Sequence, residues 1–304
     1  MSKVPPYLKS GDTIGITAPA GYMSIEKLQS CIDTLQNWGY TVKLGETTHS
    51  ESTNYFSGTD EERAADMQDM MDDPEVKAIL CARGGYGVSR IVDKLNFKRF
   101  RRHPKWVIGF SDITVLHSHL YRQYDIASLH APMGAAFNEG VYDNPYIDSL
   151  KKAIEGEALE YHVKGHPLNR AGSVKGELVG GNLSLLAHLA GTDSDIKTKG
   201  SILFLEDIGE QLYNIDRMLL QLKRTGKFDR LKGLIIGGFT DCKDTERPFG
   251  KGVEEIILSH VMDYKYPVCF HFPVSHEKEN YALKVGVVHS LEVDVEKVIL
   301  KECR

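Results

Sequence analysis

Trp106-Val107-Ile108-Gly109-Phe110-Ser111-Asp112-Ile113-Thr114 is the stretch on which the fold turns. An apolar, β-rich run stops at a small residue, and a polar cluster then opens a segment with helical spacing. A serine at such a strand-to-helix corner holds its hydroxyl at the rim of a sheet. The backbone N–H groups that follow it belong to a helix N-terminus and face any developing negative charge. Ser111 is therefore the candidate nucleophile for an acyl transfer.

Outward from this corner, the first half of the chain repeats the same rhythm. Strand-like runs at Thr13–Ala18, Tyr40–Leu44, Val76–Cys81, Trp106–Phe110 and Ile126–Leu129 alternate with amphipathic stretches from Ser24 to Trp38, Thr59 to Met71 and Asp112 to Tyr124. Thr59, with Glu62 three residues on, offers a capping box. The alternation predicts a parallel sheet covered on both faces, with function in the loops at the carboxyl ends of its strands. Arg83-Gly84-Gly85-Tyr86-Gly87 leaves the third strand and Ser111 the fourth, so both fall on that rim.

Asp143-Asn144-Pro145 opens a further helix to about Glu155, and Glu157 to Gly172, polar and poorly periodic, reads as a crossing between domains. Beyond it Gly176-Glu-Leu-Val-Gly-Gly-Asn182 leads into a helical run at Leu183–Leu189. Strand runs follow at Ile202–Leu205, Leu234–Ile236, Val268–Phe270, Lys284–Val288, Leu291–Val295 and Val298–Leu300, with helices at Asn214–Arg224 and Val253–Met262. The expectation is an α/β protein of two domains. Residues 1–160 form a Rossmann-like parallel-sheet domain carrying the nucleophile, and residues 161–304 a smaller α/β domain with a mixed sheet.

Composition narrows the function. A chain of 304 residues, 41% hydrophobic and 26% charged, is an ordinary globular protein, long for a single core. Its net charge of -5 and lack of a dense Lys/Arg stretch argue against nucleic acid as a partner. No apolar stretch suits an export signal, and none nears the roughly 20 residues of a membrane span. The five scattered cysteines lack Cys-x-x-Cys spacing, which argues against a disulfide framework or structural zinc and makes a reducing cytoplasm the simplest home. No cofactor is expected. The phosphate-loop motif is absent, Ala18-Pro19-Ala20-Gly21 stands where a dinucleotide fingerprint would be, and no metal-ligand spacing occurs. Ile113 in place of a second glycine argues against an ordinary α/β-hydrolase elbow.

A serine hydroxyl needs a base, and the base an orienting acid. His276 ends an apolar run that turns polar, so it is the candidate base. A solvated loop is its bland alternative, His130 its rival, and His271 reads as structural. Glu206, where the run Ser201-Ile-Leu-Phe-Leu205 stops, is the candidate orienter, with Asp207 as its rival and a helix cap as the alternative. Backbone N–H groups of Gly84-Gly85-Tyr86-Gly87 and of Asp112 could form an oxyanion hole; the glycines alone fit a tight turn or a phosphate nest equally well.

Taken together these stretches resemble the LD-carboxypeptidase family of serine peptidases, which includes the microcin-immunity type. The resemblance runs through Gly11-Asp-Thr-Ile-Gly-Ile-Thr-Ala-Pro-Ala20, Ala82-Arg-Gly-Gly-Tyr-Gly87, Ile108-Gly-Phe-Ser-Asp-Ile-Thr114, Gly176-Glu-Leu-Val-Gly-Gly-Asn-Leu183, Leu203-Phe-Leu-Glu-Asp207 with Asp216-Arg217, and Phe272-Pro-Val-Ser-His276. It implies a Ser111–Glu206–His276 triad with the backbone of Asp112 and Gly85 as oxyanion donors. Ser275 departs from the glycine usual before the histidine. The implied reaction releases terminal D-Ala from murein tetrapeptides by cutting an L,D bond in cytoplasmic wall recycling, in a homodimer without cofactor. Arg83 is the candidate for the substrate carboxylate, against a structural ion pair, and Asn182 a candidate substrate contact, against a turn residue. Two alternatives remain: cleavage of a peptidyl or aminoacyl nucleotide, which an aromatic platform would favour and which Trp38 and Trp106, both in packed elements, do not; and a non-catalytic small-ligand-binding protein.

Overall fold

The computed structural model describes residues 2–140 and 144–303. The chain divides into two bodies, residues 2–157 with 281–284 and residues 158–280 with 285–304.

In the first body five strands, β1 (Thr13–Thr17), β2 (Thr41–Leu44), β3 (Val76–Cys81), β4 (Trp106–Gly109) and β5 (Ser128–His130), lie in the order β2-β1-β3-β4-β5. Every neighbouring pair is parallel, as the alternating pattern predicts. The helices are α1 (Ile25–Asn37), α2 (Asp60–Asp72), α3 (Lys98–Arg102), α4 (Thr114–Tyr124) and α5 (Pro145–Glu155). The chain winds to one side after β1 and to the other after β3, so a crevice opens beyond the carboxyl ends of those two strands. The Gly21 and Gly84 loops leave there.

Local chemistry explains the boundaries. Thr59 and Glu62 form the predicted capping box at the start of α2, a device worth about 1 kcal/mol. Asn144 caps α5 by accepting from the N–H groups of Tyr146 and Ile147, while Asp143 lies outside the described residues. β4 is buried along its whole length, which is why it reads as an unbroken apolar run. Its Trp106 stacks on Tyr7 at 5.9 Å, and Lys284 lays its ammonium 4.8 Å from the Tyr7 ring centroid.

The second body holds β6 (Glu160–Lys164), β7 (Gly172–Asn182), α6 (Leu183–Leu189), β8 (Ile202–Ile208), α7 (Leu212–Arg224), β9 (Gly233–Thr240), α8 (Val253–Val261) and β10 (Val268–Cys269). β11 (Leu283–Val285) joins the first sheet beside β5, and β12 (Val288–Val293) and β13 (Lys297–Glu302) complete the second. That sheet, ordered β10-β9-β8-β7-β12-β13-β6, is mixed as predicted. β7 to β10 pair in parallel through helical crossovers, and β7, β12, β13 and β6 pair antiparallel.

Two expectations need correction. The polar stretch read as an interdomain crossing contains β6, in which Tyr161 is buried while Glu160, His162 and Lys164 face outward. Charged residues of that kind guard an edge strand, and they mask its alternation. The run Lys284–Val288 is two strands of two different sheets, because Gly286 at φ 85° turns the chain between them. Among the described residues no helix is long and apolar enough to cross a membrane.

Candidate active site

In the first body the site is a matter of backbone. Ser111 has φ 60°, a left-handed conformation that costs a non-glycine residue of order 1–3 kcal/mol and persists only where its surroundings impose it. It begins the 3₁₀ turn Ser111–Ile113 that feeds α4. The loop after β3 presses against it. A Cβ on Gly84 would stand 2.8 Å from the Ser111 Cβ, 3.0 Å from its Oγ and 3.2 Å from the Asp112 nitrogen, so only glycine fits. The Gly84 carbonyl accepts from Gly21 N–H at 3.1 Å. Within this body, neither the Gly85 N–H nor the Asp112 N–H donates to a protein acceptor among the described residues. Both therefore remain available to an oxyanion, a provision that residue types alone do not reveal.

The side chains beneath are structural. The buried Asp112 carboxylate accepts from Val88 N–H at 2.8 Å. Burial pushes its pKa up to about 6, against the opposing pull of the Val88 and Gly87 N–H groups and the Arg63 charge. His117, which sequence reasoning passed over, is fully buried on α4. Its Nε2 lies 2.8 Å from the Gly109 carbonyl and its Nδ1 2.8 Å from the Ser128 hydroxyl. Burial pushes its pKa down to about 4, so the neutral imidazole donates to Gly109 and accepts from Ser128, bracing the strand end before Ser111. A polar residue on the apolar stripe of a helix was the available signal. His130, the rival base, is buried on β5 with its ring 5.9 Å from that of Phe110. Arg83 is exposed; its Nη1 donates to the Tyr22 carbonyl at 2.8 Å, and among the described residues it pairs with no carboxylate.

In the second body the site is a pair of side chains. Glu206, fully buried near the end of β8, accepts at Oε2 from His276 Nδ1 at 2.6 Å. The approach depends on β9. The β8–β9 register slips between Leu205 and Asp207, a bulge that re-aims a side chain. A Cβ on Gly237 would lie 2.1 Å from the Val274 carbonyl and 3.2 Å from the Glu206 Cβ. The absence of side chains at Gly237 and Gly238 lets the segment before His276 run along β9, with Phe272 N–H bonded to Ile236 O at 3.0 Å and Gly238 N–H to Val274 O at 2.9 Å. Sequence reasoning did not single out these glycines, although a Gly-Gly pair inside an apolar strand is itself a sign of close backbone approach. Burial lowers the His276 pKa, but the Glu206 hydrogen bond and the charges of Glu206 and Asp207 outweigh it, and the net shift is upward from 6.5.

The neighbours of this pair have their own tasks. Ser275 is buried, outside the left-handed region, with its hydroxyl donating to Glu279 O at 3.1 Å and accepting from Glu277 N–H at 3.0 Å. It folds the turn around His276. Asp207 points the other way, accepting from Asn182 Nδ2 at 2.8 Å and Ser184 N–H at 2.9 Å. Burial, then the Glu206 charge, raises its pKa to about 7. Asn182 is buried, and its Oδ1 caps α6 by accepting from Leu185 N–H at 3.2 Å. Its amide thus holds Asp207 at one end and the start of α6 at the other. His271 lies just past β10 instead of inside a strand, exposed and 3.1 Å from Glu254 Oε1.

Comparison with known proteins gives concordant results. Residues 14–131 match the LD-carboxypeptidase N-terminal domain and residues 175–291 the LD-carboxypeptidase C-terminal domain. The probable murein peptide carboxypeptidase of Bacillus subtilis is 37% identical over 286 residues, covering 93% of this chain and 89% of that protein. The murein tetrapeptide carboxypeptidase of Pseudomonas aeruginosa is 31% identical, covering 92% of each chain. The crystal structure of muramoyltetrapeptide carboxypeptidase from Oxalobacter formigenes superposes with a TM-score of 0.87 at 30% identity, covering 96% of this chain and 99% of that one.

Proposed function

Since this chain belongs to the LD-carboxypeptidase family, we propose that it hydrolyses the L,D peptide bond releasing the terminal D-Ala of a murein tetrapeptide, with Ser111, His276 and Glu206 as its catalytic triad. Ser111 Oγ attacks the scissile carbonyl carbon. His276 takes the hydroxyl proton; because its Nδ1–H is held by Glu206, the transfer falls to Nε2. The carbonyl oxygen becomes an oxyanion held by the N–H groups of Gly85 and Asp112, each such donor lowering the barrier by about 3–4 kcal/mol. Collapse breaks the C–N bond, the proton passes from His276 to the amine, and D-Ala leaves. Water then attacks the acyl-enzyme by the same proton route and returns the tripeptide and free Ser111.

The observation that carries this reading is the 2.6 Å bond between a fully buried carboxylate and an imidazole seventy positions away in sequence. A solvated loop histidine has no such partner. Arg83 is assigned to the free carboxylate of D-Ala, because its exposed guanidinium meets no carboxylate among the described residues and can bind one in bidentate fashion. Trp106 is buried and Trp38 packs against Phe137 at 6.3 Å, so neither offers a nucleobase platform. The same reading places the enzyme in the cytoplasm as a cofactor-free homodimer.

Mass spectrometry of a defined tetrapeptide incubated with wild type or Ser111→Ala tests the proposal. Loss of one alanine with wild type alone supports it. An intact tetrapeptide alongside a cleaved aminoacyl-adenylate analogue reassigns the substrate, and turnover by Ser111→Ala removes the nucleophile.

A further inference from the structure

The first body buries a guanidinium that the reaction itself does not use. Arg63, on α2, is completely buried. Its Nη1 donates to the carbonyls of Pro19 at 2.7 Å and Gly87 at 3.1 Å, its Nε donates to Gly58 O at 3.3 Å, and its Nη2 pairs with Asp60. Its Cζ lies over Phe56, 4.6 Å from the ring centroid. Burying a charge costs several kcal/mol, and an apolar residue would fill the volume without that cost. What arginine alone supplies is five donors in a fixed fork. Here the fork reaches three separate segments: the loop after β1, the turn before α2 and the glycine loop after β3.

The glycine loop is anchored on both sides of Gly85. The Gly84 carbonyl accepts from Gly21 N–H, the Gly87 carbonyl accepts from Arg63 Nη1 and from Arg90 N–H at 3.1 Å, and the Gly87 and Val88 N–H groups face the Asp112 carboxylate. Gly87 sits at φ 144°, and a Cβ there would meet Arg63 Nη1 at 2.6 Å. The guanidinium and the loop backbone are therefore fitted to each other. Between the fixed points lies Gly85, whose N–H is one of the two donors assigned to the oxyanion.

The geometry points to Arg63 as a positioning residue for transition-state stabilisation: by clamping the carbonyls of Pro19 and Gly87 it holds the Gly84–Gly87 backbone in the shape that aims the Gly85 N–H. The inference rests on the triad and oxyanion assignment above. An oxyanion donor acts on the transition state and not on the bound substrate, so a loosened loop lowers kcat and spares KM.

Arg63→Met and Arg63→Lys in the full-length protein test it, with D-Ala release, inhibition by a peptidyl boronate and hydrogen exchange of the peptide spanning residues 83–90. Arg63→Met is expected to lower kcat by about 10–100-fold, short of the loss of a whole donor, with KM within about threefold. Boronate affinity should fall by the same factor, tripeptide affinity should hold, and exchange in residues 83–90 should quicken. Added guanidinium should restore part of kcat. Arg63→Lys should fall between wild type and Arg63→Met. A folded Arg63→Met with kcat within twofold of wild type overturns the clamp, as does a loss of kcat without loss of boronate affinity. Should Arg63→Met not fold, Asp60→Ala removes the acceptor of Nη2 from the surface side; it is expected to lower kcat several-fold, and an unchanged kcat overturns the proposal. Exchange needs no substrate. Unchanged protection of residues 83–90 in either variant refutes the clamp alone, whereas wild type that releases no D-Ala refutes the assigned reaction alone.

Discussion

The candidate residues of the two bodies are set by different physical means. The first works through the backbone: a serine at φ 60°, a glycine loop pressed against it, and two N–H groups that donate to no protein acceptor among the described residues. The second works through side chains: a buried carboxylate bonded to an imidazole whose pKa it raises. The difference separates stabilising a charge from moving a proton. Charge is stabilised best by dipoles fixed beforehand, which backbone provides. Proton transfer needs a group whose pKa lies near the working pH, and only a titrating side chain in a tuned environment has one.

The sharpest way to break this comparison is Ser111→Ala. It is expected to cost about 10⁶-fold in kcat while the oxyanion donors remain, read as alanine released per enzyme by mass spectrometry. A small loss would mean the strained corner has some other purpose. Next comes Glu206→Gln, with an expected loss of about 10⁴-fold in kcat from a mis-set imidazole. It also carries a pH signature. The base is active when neutral, so wild-type kcat/KM should fall as pH drops through a value above 6.5, the direction in which Glu206 and Asp207 shift His276. Without the Glu206 charge the burial that opposes it prevails, and that limb should move to lower pH.

A pair of glycine substitutions sharpens the contrast. Gly84→Ala places a methyl 2.8 Å from the Ser111 Cβ and should cost about 10²-fold in kcat through misplacement, with a nearly unchanged urea midpoint. Gly237→Ala drives a methyl into the Val274 carbonyl, 2.1 Å away, and should cost about 1–3 kcal/mol of stability as overpacking does. The same midpoint measurement separates them, and equal shifts would erase the distinction. The smallest effect is expected from Asn144→Ala, which removes the α5 cap. About 1 kcal/mol of stability should go, read from thermal unfolding, with kcat unaltered.

Periodicity made the first body legible. Val76–Cys81 and the capped α2 lie where the pattern puts them, because a two-faced parallel sheet writes its strands as apolar runs. The second body was harder. The outward-facing charges of β6 hid an edge strand, and Gly286 divided one apolar run between two sheets. Among the candidate residues, Ser111 and the glycine loop were legible as a corner and a cradle. His117 was not, since a buried histidine and a surface one are the same letter. The structural bonds of Asn182 were hidden for a related reason: an amide that caps a helix and an amide that meets a substrate carry the same groups.

The amino-acid sequence by itself determined the order of the elements, the strand-to-helix corner at Ser111 and the apolar runs that end in Glu206 and precede His276. Local propensity and periodic burial act over a few residues and need no knowledge of the rest of the chain. Only the tertiary structure decided that Glu206 and not Asp207 meets His276, that Asn182 turns toward Asp207, and that Arg63 gathers three loops. Those choices rest on strand register, on a bulge and on space left by absent side chains. Such contacts join residues far apart along the chain, and their geometry exists only once the sheets have formed.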